Sequence, residues 1–187
     1  MLQEAALFCM AEDMLVEVLS RVRPEDEGVV LPPLHVRAPE PRTIRAAVVE
    51  HLQDEAELRS ALTECRESPV DQDVAATARW TCDAVAQLQD GDLLVRSDGR
   101  SLTVRGLLVR ATVERSLLAH YVAAYLGSTA CPLPEELARP LWELTSPDAE
   151  AWRSSGWFRE PLPLPPHVSW RDRFLLTAGH PPHPVDH

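Results

Sequence analysis

At 187 residues, 45% of them apolar, the chain can bury one substantial core and is short for two. A net charge of −11, with no basic stripe to offset it, argues against nucleic acid or an anionic membrane surface as a partner. No apolar run approaches the roughly 20 residues that a membrane-crossing helix needs.

All 18 basic residues are arginine, and Ile44 is the only isoleucine, a usage that points to GC-rich bacterial coding. The opening stretch MLQEAALFCMAEDMLVEVL is acidic where a secretory signal would be basic, and it reads as a cytoplasmic helix. Cys9, Cys65, Cys82 and Cys131 are too scattered for a zinc knuckle or a redox motif, so free thiols are expected.

In chain order, the 3.6-residue apolar period predicts a first helix over 2–22, with Leu7, Met10, Ala11, Met14, Val18 and Val22 on its inner side. The proline-rich stretch 24–41 follows as an extended crossover. A second helix is predicted over 42–65 on the stripe Ile44, Val48, Leu52, Leu58 and Leu62. A third covers 71–89, with Val74, Ala78, Thr81, Val85 and Leu88 forming a face of mostly small residues. The fourth opens at Ser101 as N-cap and closes at Gly127, with Leu107, Ala111, Leu118, Val122 and Tyr125 turned inward. A hairpin about Asp98 and Gly99 is the minority reading of the stretch before it. Residues 128–180 are expected to pack back on this core through Trp142, Trp152, Trp157 and Trp170, and residues 181–187 to be disordered. The expected architecture is therefore an all-α four-helix bundle, residues 1–127, with a proline-rich C-terminal extension of the same domain.

Polar residues on the apolar faces are the candidates for chemistry. His51 and Glu55 share the inner face of the second helix at i, i+4, and Glu114 lies between Ala111 and Leu118 on the fourth. If those helices are neighbours, His51, Glu55 and Glu114 could converge on one divalent metal ion, zinc among the choices. Ion pairing of Glu114 with Arg110, and of His51 with Glu55, explains the same spacings without a metal. His120 falls off the stripe, at the surface or under the tail. His180, His183 and His187 read as a flexible, adventitious metal-binding tail.

The stretches PEPRTIRAAVVEHL and LTVRGLLVRATVERSLLAHYVAAYLG resemble the second and fourth helices of the DinB-like and mycothiol-dependent maleylpyruvate isomerase superfamily. The closing segment FREPLPLPPHVSWRDRFLLTAGHPP is similar to that of an actinobacterial subgroup of it. The resemblance implies a cytoplasmic bundle, often a homodimer, in which a divalent metal helps a low-molecular-weight thiol such as mycothiol attack a small-molecule substrate. Joined to the helical spacing, it makes His51 and Glu114 the candidate metal ligands, Glu55 a ligand or general base, and Tyr121 and Tyr125 the candidate cofactor-binding residues. In the family's register the second-helix histidine position falls on Glu50 and the second fourth-helix ligand on Leu118. Those departures suit the alternative: a non-catalytic bundle that lost its metal site and binds a small molecule or a protein partner.

Overall fold

The structure, a computed structural model, describes residues 2–63, 73–97, 100–128 and 131–184. Among them it is mainly helical, with α1 Gln3–Leu19, α2 Ile44–Thr63, α3 Val74–Ala86, α4 Val104–Tyr125, α5 Glu135–Thr145, α6 Ala149–Ser154 and α7 Trp170–Thr177. Among the described residues no helix is long and apolar enough to cross a membrane. The predicted helix ends are trimmed by local chemistry. Asp73 caps α3 by accepting from the Ala75 and Ala76 amides. Thr103, not Ser101, caps α4 by accepting from Gly106 N at 3.0 Å. Gly127 follows the end of α4 with φ +84°, the left-handed turn anticipated there.

Two segments depart from the predicted order. Within 24–41, Val30–Leu31 (β1) pairs antiparallel with Arg42–Thr43 (β2), so the crossover folds back on the start of α2 instead of running extended. Leu94–Ser97 (β3) pairs antiparallel with Arg100–Thr103 (β4), so the hairpin reading prevails over a bare helix start. Its tip, Asp98 and Gly99, lies outside the described residues, as does Cys65.

α1 packs on α4 and α3, α2 packs on α3, and α5 packs on α7. Apolar burial divides into two clusters. One joins α1, α4, α5 and α7 around Leu15, Leu117, Leu137 and Phe174. The other joins α1, α2, α3, α4 and the β3–β4 hairpin around Phe8, Leu58, Val85 and Leu108. On α1 the buried face is Leu7, Phe8, Ala11, Glu12, Met14, Leu15, Val18 and Leu19, while Met10 is 36% exposed. The predicted stripe was therefore centred too far round the helix. Phe8 belongs to one cluster and Leu15 to the other, which places Glu12 at the seam between them.

The chain end is ordered further than expected. The amide of Arg159 donates to Ala178 O at 3.1 Å and that of Leu162 to Leu176 O at 2.9 Å, clasping the proline-rich strand to α7. Gly179 has φ +82°, and a Cβ there would sit 2.5 Å from both Arg159 Cβ and Glu160 O. Glycine is required on both counts. His180, read as part of a flexible tail, is fully buried instead, because this turn drives it back onto α4. Pro181–Pro184 follow it within the described residues, and Pro181 O accepts from His120 Nε2 at 3.0 Å, so the expected disorder does not begin at residue 181. His120 thus lies under the tail, and His187 lies outside the described residues.

Candidate metal centre

Three helices each turn a charged or titratable side chain into the seam. Glu12 comes from α1, His51 and Glu55 from α2, and Arg115 from α4; none of the four is more than 5% exposed. His51 and Glu55, four residues apart, share one helix face as their spacing demanded. His51 Nε2 lies 3.1 Å from Glu12 Oε1. Arg115 bridges the two carboxylates, donating through Nε to Glu12 Oε2 and through Nη2 to Glu55 Oε1. Its Nη1 donates to Ala111 O at 2.9 Å, and its guanidinium lies 4.6 Å from the Phe8 ring centroid, so every part of the head group is held.

Burial pushes the Glu12 carboxyl upward, but Arg115 and His51 outweigh it and bring the pKa down to about 2, so the group is held as a carboxylate. One atom is left over. Glu55 Oε2 is buried with no hydrogen-bond partner among the described residues, although its carboxylate sits in an interior where an unmatched charged oxygen is costly. Ligand-type atoms of Glu12, His51 and Glu55 all lie within 4.8 Å of one another, so this group could hold a metal ion. The donors fit that role: one imidazole and two carboxylates suit zinc, manganese or iron. Arg115 would then stand behind the carboxylates, using the oxygens that face away from the His51 contact and from the unmatched Glu55 atom.

Glu114 does not join this group. Its side chain is 28% exposed, with Oε1 3.9 Å from His35 Nε2. Glu114 and Arg115 are neighbours on a helix buried nearly all round, so periodicity alone could not separate the inward residue from the outward one. The pairing expected of His51 with Glu55 is replaced by His51 with Glu12 and Glu55 with Arg115. Arg110 donates to Ser97 Oγ at 3.1 Å and lies over the Trp157 ring. Glu50, at the family's histidine position, pairs with Arg42 and is turned outward.

Tyr121 and Tyr125 do not reach the centre. The Tyr121 hydroxyl meets His180 Nδ1 at 2.9 Å beneath the tail, and Tyr125 is a partly buried residue packed on the apolar cluster. Sequence reasoning missed Glu12 and Arg115. The available signal for Glu12 was its place four residues after Phe8 and three before Leu15.

Two adjoining cavities border the centre at His51 and Arg115, and Asp54, Glu114 and Arg115 line both. One, about 20 Å³, touches His51; the other, about 70 Å³, is bordered by Trp157 and Arg110. They have room for a few waters or a small polar group, not for a bulky cofactor. At the rim His35 stacks on Trp157 with centroids 4.8 Å apart. Burial, helped by Arg42, Arg37 and Arg159, brings the His35 pKa down to about 4, so the ring is neutral near pH 7.

No family model, curated protein or solved structure matches this chain.

Proposed function

We propose that this chain binds a divalent metal ion through Glu12, His51 and Glu55 and uses it in chemistry on a small polar molecule admitted past Trp157. The observation that carries this reading is Glu55 Oε2, a buried carboxylate oxygen without a partner among the described residues, beside two further ligand-type side chains. A bound ion would polarise a substrate or lower the pKa of a coordinated water or thiol. The residues of the chain supply the rest. Arg115 fixes both carboxylates, His51 presents imidazole nitrogen, and the half-buried Glu114 beside His35 is placed to hold or move a proton at the cavity wall.

Among reaction classes, thiol-dependent transfer or isomerisation on a DinB-like four-helix bundle is the one that the sequence resemblance supports. In that reading Glu55 is a ligand before it is a base, and Glu12 takes the place the family pattern gave to the fourth helix. The small cavities favour a thiol whose sulfur alone enters the cleft while the remainder of the molecule stays outside. Elemental analysis of protein made without an affinity tag tests the proposal. About one zinc, manganese or iron per chain is expected, with loss of that ion in His51→Ala. Metal far below stoichiometry after purification in its presence contradicts it.

A second reading rests on Arg115. Its guanidinium already bridges Glu12 and Glu55, with His51 3.1 Å from Glu12, so the cluster serves as a buried ion network in a non-catalytic binding protein. That reading predicts the same thermal stability with and without added divalent ion, whereas the metal reading predicts a rise in Tm on loading.

A further inference from the structure

A pair of cysteines lies across the α1–α3 contact. Cys9 on α1 and Cys82 on α3 are both half-buried, and Cys9 Sγ is 4.0 Å from the Cys82 carbonyl oxygen. Both pack at the edge of the apolar cluster built on Phe8 and Val85, so helix packing sets the two cysteines side by side across the contact. We infer that Cys9 and Cys82 form a reversible disulfide that staples α1 to α3 when the protein meets a low-molecular-weight disulfide.

The exchange is balanced without any further reactant. The Cys9 thiolate attacks the small disulfide R–S–S–R, forming Cys9–S–S–R and releasing one thiolate. Cys82 then loses its proton and attacks the Cys9 sulfur, displacing the second R–S⁻. Two protein thiols are oxidised and one small disulfide is reduced to two thiols. Interaction with the Cys82 side chain lowers the Cys9 pKa against burial, Asp13 and Glu12, while that of Cys82 is raised, so Cys9 is the attacking sulfur and Cys82 the resolving one. Cys9 also lies one helical turn before Glu12, so the crosslink fixes the helix that carries a carboxylate of the metal-centre candidate.

Reduced, full-length protein exposed to bis(2-hydroxyethyl) disulfide tests this. The expected product is lighter than the reduced chain by the mass of two hydrogens, and non-reducing peptide mapping joins the Cys9 and Cys82 peptides. Its Tm is raised by roughly 5–15 °C, reversed by reductant. Cys82→Ser should stop at a stable mixed disulfide on Cys9, and Cys131→Ser and Cys65→Ser should behave as wild type. Circular dichroism confirms that each variant is folded. An unchanged mass, a linkage through another cysteine, or a mixed disulfide that persists in the wild type overturns the inference.

Discussion

Two buried polar clusters hang from α4, six residues and about 9 Å apart along its axis, and they are built on opposite principles. At Arg115 the partners are charged: a guanidinium between two carboxylates with an imidazole alongside. At His120 and Tyr121 they are neutral. Tyr121 meets His180 at 2.9 Å, His120 donates to Pro181 O at 3.0 Å, and the Cys131 thiol lies 3.2 Å from His120 Nδ1. Burial lowers the pKa of both histidines, to about 3 for His180, and raises that of Cys131, so each stays uncharged. Among the described residues each cluster leaves one atom unmatched, Glu55 Oε2 in the first and His180 Nε2 in the second. A neutral nitrogen without a partner is tolerable, whereas a carboxylate oxygen beside two other ligand-type side chains asks for a cation. The neutral cluster latches the chain end, and the charged one has the makings of a site.

That contrast breaks most sharply at Arg115. Replacing it with methionine leaves Glu12 and Glu55 buried without their cation and should cost about 3–5 kcal/mol in urea denaturation. Loss of under about 1 kcal/mol would mean that the carboxylates are not held by this guanidinium.

Acid separates the clusters next. The folded-state pKa of His180 lies below the ordinary 6.5, so the unfolded chain takes up the proton first. The stability it gives is complete above about pH 6.5 and is lost as pH falls toward 3. Glu12 has the same sign in a lower window, complete above 4.5 and lost toward pH 2. His35 adds to the upper window, down to about pH 4. Stability measured from pH 7 to pH 3 should therefore fall by several kcal/mol in two stages, and His180→Gln should shrink the upper one, leaving the His35 share of it, and keep the lower. A single stage below pH 4.5 would contradict the neutral reading of the tail.

Gly179→Ala tests the latch at its turn. The added Cβ meets backbone at 2.5 Å in a left-handed conformation, and about 1–3 kcal/mol should be lost, with faster proteolysis of the chain end. Tyr121→Phe is the mildest change, removing one hydrogen bond beneath the tail at about 1 kcal/mol.

The sequence carried the long helices because their apolar periods are regular, and it placed His51 and Glu55 correctly because four residues on a helix always share a face. It could not place Glu12. α1 is apolar over much of its circumference, and a small rotation of the stripe exchanges Met10 for Phe8 and Glu12. Nor could it choose between Glu114 and Arg115 on a helix surrounded by packing. The burial of His180 depends on Gly179 meeting Arg159 across a chain reversal, a contact that no local pattern records.

The most direct measurement is anomalous diffraction from crystals grown with manganese or zinc. The account predicts one anomalous peak within bonding distance of His51 and of a Glu12 and a Glu55 oxygen, with Arg115 still behind both carboxylates. A clean map at that position under saturating metal, with Arg115 bridging the two glutamates alone, would contradict it.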